Sequence, residues 1–257
     1  MRARIYSTEG ITLRRMDFGE ADRILTVLSP SLGKLRLLAK GVRRPSSRMA
    51  GHVELFSHTH FQVAKGRDLD VLTQAATIEP FRTLRENMVK VAHAFHFADL
   101  CDGFLQDADP HADAFALLLS ALGRLAGDEY EPSFVARAFE LHLLQEVGFR
   151  PQLTGCLRCR SAIEPGPNSY SVSLGGVLCP ACAPIVPDAI GISPEALKLL
   201  RFLQRTPDAG LHAVAVADAV LGEAERVMRR HLEFALERRL KASDFVHRAI
   251  EAMPATP

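Results

Sequence analysis

Hydrophobic periodicity changes once along this chain, at Pro80, and the change divides its 257 residues into two parts of different architecture. Before Pro80 apolar residues tend to alternate, as in half-buried strands. Residues 4–7 and 10–14 are short β-rich runs, with a bend or bulge expected at Glu9-Gly10. Residues 23–29 and 34–40 flank the turn chemistry Pro30-Ser31-Leu32-Gly33 and predict a hairpin. Two further runs, near 53–63 and 69–78, are joined by the turn Lys65-Gly66-Arg67-Asp68.

After Pro80 the period becomes helical. Met88, Val91, Phe95, Ala98 and Leu105 form one stripe, and Phe115, Leu118, Leu122 and Leu125 a second. Phe134, Ala138, Leu141 and Leu144 form a third, stopped by Gly148 and Pro151. Ser193-Pro194-Glu195 carries a capping hydroxyl, a first-turn proline and a first-turn carboxylate, so it starts a helix bearing Leu197, Leu200 and Leu203. A last long helix is expected over about 223–240, with Ala224, Met228, Leu232 and Ala235 on one side. All these stripes are read as core-facing.

The fold class is therefore α+β. An N-terminal five-stranded OB-fold barrel over residues 1–80 precedes a helical domain over 81–257. The OB-fold is the small five-stranded barrel that binds oligonucleotides. Residues 151–190 interrupt the helices with six prolines and four of the five cysteines, and read as an insertion.

That insertion has its own chemistry. Cys156-Leu157-Arg158-Cys159 and Cys179-Pro180-Ala181-Cys182 are separated by nineteen residues. Each C-x-x-C turn brings two thiolates to one side, and two such turns complete a tetrahedron around Zn²⁺. A small hairpin around Leu174-Gly175-Gly176 would deliver the second pair. Four thiolates leave no open position, so the zinc is structural, and it would stabilise a segment with few large apolar side chains. Two disulfides are the alternative, disfavoured in a chain that begins without an apolar signal region and so reads as cytosolic. No apolar run approaches the ~20 residues of a membrane span. Cys101, among Leu100, Phe104 and Leu105, reads as a small buried hydrophobe.

The net charge of +1 conceals an asymmetry. Residues 1–80 hold 13 Lys and Arg against 8 Asp and Glu, and residues 81–257 hold 18 against 22. Between residues 23 and 53 there are seven basic side chains and no acidic one. Lys34 and Arg36 on one strand face, with Lys40, Arg43, Arg44 and Arg48 beyond it, form a candidate phosphate track. Tyr6, Phe18, Phe56 and Phe61 are candidate stacking platforms. Enzymatic signatures are weak. His52-Val53-Glu54 matches half of the zinc deaminase pattern, but no P-C-x-x-C accompanies it, and neither phosphate-loop nor dinucleotide motifs occur. The chain reads as a binding protein rather than an enzyme.

Leu38-Ala39-Lys40-Gly41-Val42-Arg43-Arg44-Pro45, followed by Ser47-Arg48, resembles the basic stretch of the RecO recombination mediators. Leu55-Phe56-Ser57, Lys65-Gly66-Arg67-Asp68-Leu69 and Glu146-Val147-Gly148-Phe149-Arg150-Pro151 resemble family segments in the same order, so the likeness spans essentially the whole chain. The resemblance implies binding of single- and double-stranded DNA, annealing of complementary strands, and loading of recombinase on strands coated by single-strand-binding protein. It implies RecR, and often RecF, as partners, with RecR on the OB domain. The acidic C-terminal tail of single-strand-binding protein would dock on the helical domain. Some relatives lack the cysteines, so zinc is not a requirement of the family function. A zinc-containing OB-fold protein that binds RNA is the alternative reading.

Overall fold

Fourteen consecutive residues, Ile5–Phe18, form strand β1 in the computed structural model, which describes residues 5–212 and 214–251. At about 3.3 Å per residue, such a strand cannot lie flat in a small barrel. It curls instead. Its first half pairs antiparallel with β4 (His58–Ala64) and its second half with β2 (Asp22–Ser29). A bulge between Thr12 and Arg14 supplies the bend. The break expected at Glu9-Gly10 does not occur, and the β1–β4 ladder runs through both residues. Gly10 serves a close approach rather than a turn, because a Cβ there would lie 2.4 Å from Val27 Cγ1. Arg4, expected at the strand start, lies outside the described residues.

With β3 (Gly33–Ala39) and β5 (Asp70–Glu79) the strand order is β1-β2-β3-β5-β4, and the barrel closes through a parallel β3–β5 pair. This is the predicted five-stranded barrel. Leu25, Val27, Leu37, Phe61, Val63 and Leu72 fill it, joined by Val42 and Val53 from the segment between β3 and β4. The run expected to be a strand from Val53 begins only at His58. Phe56 sits at φ 65, and the Arg85 guanidinium donates to Leu55 O, Ser57 Oγ and Pro80 O. Leu55-Phe56-Ser57 is thus a clamped corner.

Two units divide between Ala126 and Gly127. The first contains the barrel with α1 (Met88–Phe104) and α2 (Ala112–Ala126). Asn87 caps α1, accepting from Val89 N and Lys90 N. The Phe115, Leu118, Leu122 and Leu125 stripe of α2 is buried, as expected. The α1 stripe is partly misassigned: Met88 is 60% exposed and Phe95 37%, while Ala94, Phe97, Leu100 and Cys101 are buried. This helix is apolar on nearly all sides, so no polar face marks which stripe points inward. Burial also pushes the Cys101 thiol up to about 12, as suits an inert core residue.

The second unit contains α3 (Pro132–Glu146), α4 (Pro194–Arg205), α5 (Asp218–Ala235) and α6 (Lys241–Glu251). Phe134, Ala138, Leu141 and Leu144 of α3, Leu197, Leu200 and Leu203 of α4, and Ala224, Met228 and Leu232 of α5 are all buried. Ser193 Oγ caps α4 by accepting from Ala196 N at 3.1 Å. The last predicted helix begins five residues earlier and stops at Ala235, with Glu237 at φ 53, and α6 follows. Leu236-Glu237-Arg238-Arg239-Leu240 carries no glycine or proline to announce that stop. Between α3 and α4 a small sheet has the order β7-β6-β8, from β6 (Asn168–Ser171), β7 (Gly176–Leu178) and β8 (Ile190–Ile192). The predicted hairpin is present, with Gly175 at φ 77; β8, on its far edge, was not foreseen. Among the described residues no helix is long and apolar enough to cross a membrane.

Candidate nucleic-acid interface and metal centre

Cross-strand register decides which side chains share a face of the barrel. Leu25 pairs with Leu37 and Arg23 with Ala39, and Leu25, Leu37 and Ala39 belong to the core. The alternate residues therefore point outward. They form two rows across β1, β2 and β3: Arg14, Thr26 and Arg36, then Met16, Ile24 and Leu38. Arg36 is exposed on this outer face. Lys40, just past the end of β3, is exposed too.

Arg43, Arg44 and Arg48 follow in a loop fixed by backbone contacts. Gly41 N donates to Asp22 Oδ1 at 2.7 Å, Arg43 N to Ala21 O at 2.9 Å, and Ser47 N to Arg44 O at 2.9 Å. The loop is thereby anchored to the turn between β1 and β2, with Gly41 at φ 63 where a side chain would be strained. Asp17 accepts from Arg23 Nε at 2.9 Å and lies 3.4 Å from Arg43 Nε. The Arg23 hydrogen bond, helped by the charge of Arg43, holds the Asp17 carboxyl below the usual range. Arg43 is consequently half spent on an internal partner. Among the described residues, no carboxylate pairs with Arg36, Lys40, Arg44 or Arg48.

Lys34 departs from the expected track. Its side chain is 10% exposed, its ammonium lies 3.2 Å from Asp102 and 3.3 Å from Asp107, and it donates to Asp102 O. Burial alone would raise the Asp102 carboxyl, but hydrogen bonds from Arg14 and Lys34 outweigh it and hold the group below its ordinary value. Lys34 is a structural cation tying β3 to α1. Strand alternation placed Lys34 and Arg36 on one face correctly, but it carries no information about which row a helix covers.

The four candidate aromatics separate cleanly. Phe61 is fully buried in the barrel, and Phe56 is buried with its ring edge-on to Phe95 at 5.0 Å. Tyr6 donates to Asp70 Oδ2 at 2.8 Å and carries Lys65 Nζ over its ring. Phe18 alone among the four is largely solvent-exposed, at 48%. Sequence reasoning missed Met16, 54% exposed and two residues before it; the i, i+2 spacing on an outward strand was the available signal. The deaminase-like pair is spent on the fold, His52 Nδ1 lying 2.9 Å from Thr77 Oγ1 and Glu54 2.6 Å from Arg15.

In the second unit Cys156, Cys159, Cys179 and Cys182 bring their sulfurs within 4.8 Å of one another. Zinc–sulfur bonds of about 2.3 Å in a tetrahedron put sulfurs roughly 3.8 Å apart. Cys159 Sγ and Cys179 Sγ are separated by 3.7 Å, which fits that edge and is far too long for a disulfide. Each pair sits in a tight turn, closed by Arg160 N to Cys156 O at 2.9 Å and by Cys182 N to Cys179 O at 3.0 Å. The protonation pattern also suits a cation site. Burial, reinforced by the neighbouring sulfurs, pushes Cys182 up to about 12, whereas backbone N–H groups overcome the burial of Cys156 and hold it down to about 6. So crowded a quartet cannot ionise fully alone, and a divalent ion would allow it to. The four cysteines can hold a metal ion.

The module is tied to α5 through a buried histidine. His231 Nε2–H donates to Phe149 O at 2.9 Å, so Nδ1 accepts from Tyr170 O–H at 2.8 Å. Burial holds its pKa below the usual value. Below pH ~6.5 the unfolded chain binds a proton that folded His231 refuses, so stability falls as pH drops, by up to about 1.4 kcal/mol per pH unit. His231→Gln should lower the melting temperature at pH 7 yet flatten its decline between pH 6.5 and 5.5, as thermal unfolding would show. An unchanged slope would acquit this histidine.

Comparison with known proteins gives a consistent result. Residues 1–81 match the family model described as Recombination protein O N terminal, and residues 85–244 the one described as Recombination protein O C terminal. A DNA repair protein RecO from Roseiflexus sp. (strain RS-1) is 40% identical over 239 residues, covering 93% of this chain and 83% of the relative. Proteins of the same name from Symbiobacterium thermophilum and Pelotomaculum thermopropionicum are 35% and 34% identical, with 94–96% of each chain covered.

Proposed function

The chain belongs to the RecO family of DNA-repair proteins, and from that premise we propose that it is a recombination mediator which binds single- and double-stranded DNA and anneals complementary strands. One observation carries the reading. Arg36, Lys40, Arg44 and Arg48, without carboxylate partners among the described residues, follow one another from the outer face of β3 into the anchored loop beyond it. Such a row neutralises phosphates and releases counterions, giving sequence-independent, salt-dependent affinity. Arg43 contributes less, because Asp17 already holds it. Contacts confined to phosphates leave base edges free for a second strand, which is what annealing requires.

The mediator works without covalent chemistry, in the cytoplasm at the nucleoid. The family likeness supports RecR, and often RecF, as partners in loading recombinase, with RecR on the barrel domain of residues 1–80. It also supports docking of the acidic tail of single-strand-binding protein on the helical domain of residues 81–257. Zinc is the ion proposed for Cys156, Cys159, Cys179 and Cys182. It would hold the insertion together, with all four positions taken by sulfur.

The test compares binding to single-stranded DNA and to RNA of the same sequence, together with annealing of bare complementary DNA strands. Salt-dependent DNA binding with accelerated annealing is the expected result. Tight binding to RNA alone would replace this reading with an RNA-binding one.

A further inference from the structure

We propose that the tip of the β1–β2 hairpin is a single-strand sensor, in which Phe18 and Met16 stack on unpaired bases held by the neighbouring cations. The inference rests on the DNA-binding reading above and adds what that reading leaves open, the discrimination between single strands and duplex.

Exposed apolar side chains scattered singly over a surface need no explanation. These two are not scattered. Met16 and Phe18 project from the same outward face of β1, 54% and 48% exposed. Met16 stands in register with Ile24 and Leu38, and Phe18 with Asp22. One row along the same face is Arg36. The loop carrying Arg43 and Arg44 hydrogen-bonds to the turn beside Phe18. The exposed Met16 and Phe18, bordered by Arg36 and Arg44, which have no carboxylate partner among the described residues, match a strand whose phosphates lie to one side and whose bases are splayed out.

The tip is also preorganised. Asp17, between Met16 and Phe18, lies on the opposite side of the strand, held by Arg23 and Arg43, and Asp22 accepts from Gly41 N. Those contacts fix two hairpin carboxylates in place, Asp17 on two arginines and Asp22 on a backbone N–H. A duplex keeps its bases stacked and offers this strip nothing, so the strip favours single strands.

The chain contains no tryptophan, so Phe18→Trp would place a single tryptophan at the tip, excited at wavelengths beyond the absorption of the tyrosines, without adding bulk to any core. Titration with a single-stranded oligonucleotide should quench its emission, whereas duplex bound to the same saturation should leave it unquenched. The Met16→Ala, Phe18→Ala double variant should lose roughly tenfold in single-strand affinity, while keeping duplex affinity and the salt dependence of both. Saturating, salt-dependent single-strand binding without quenching, and with the double variant binding normally, would overturn the inference and leave the DNA-binding reading intact. If the double variant instead changed only the oligomeric state in sedimentation, the strip would be a contact between copies and the inference would fall. Absence of salt-dependent DNA binding in the wild type would remove both.

Discussion

Replacing Arg36, Lys40, Arg44 and Arg48 together by glutamine should weaken single-stranded DNA binding about 10²–10³-fold near 0.1 M salt and lower the salt slope by about 3. The arithmetic follows from counterion release. Each phosphate contact on a single strand contributes about 0.7 to the slope of log K against log salt, so four contribute nearly 3. At 0.1 M salt each lost contact costs roughly fivefold in affinity. Folding should be unaffected, because all four side chains are exposed and none has an internal ion-pair partner among the described residues. Lys34→Gln is the informative control. Its ammonium is engaged by Asp102 and Asp107, so its removal should lower stability while leaving the salt slope nearly unchanged. Fluorescence anisotropy at a series of salt concentrations reads the slopes, and thermal unfolding reads the stability. An unchanged slope in the fourfold variant would show that the track lies elsewhere, and a slope loss in Lys34→Gln would return Lys34 to it.

Removing the metal should have the other large effect, on stability rather than on DNA. The chain is expected to carry one zinc ion, and the Cys156→Ser, Cys179→Ser double variant none. Structural zinc in small modules contributes on the order of 10 kcal/mol to their folding. Here Tyr170 and His231 pass part of that stability on to α5. Melting of the second unit should fall by about 10 °C or more, the equivalent of roughly 3 kcal/mol in a domain of this size. Salt-dependent DNA binding, placed on the first unit, should persist in the variant below its melting temperature. Metal analysis together with calorimetry reads both changes. A metal-free wild type, or an unchanged melting profile, would rule out a structural zinc.

Much of this was legible in the chain because local chemistry agrees with global structure. The barrel showed through its alternation and turn residues, and the four-cysteine cluster through its C-x-x-C spacing, which constrains geometry whatever surrounds it. The helix start at Ser193-Pro194-Glu195 was legible for the same reason. What escaped depends on contacts distant in sequence. Nothing near Lys34 announces that Asp102, 68 residues away, claims its ammonium. No local signal separates Phe18, left outside, from Phe61, placed in the barrel, since both are aromatics on strands. The α1 stripe failed through an excess of apolar residues, and α6 through a helix stop built from ordinary residues around Glu237. Except at that helix stop, the missing information was which neighbour covers the side chain.

The role proposed for the basic face of the barrel is to bring complementary DNA strands together. Its most direct test is annealing of two complementary strands, each coated beforehand with single-strand-binding protein, by the wild type and by the Arg36, Lys40, Arg44, Arg48 glutamine variant. The wild type should anneal the coated strands and the variant should not, although both remain folded. Equal annealing by the two proteins, or none by either, would contradict that role.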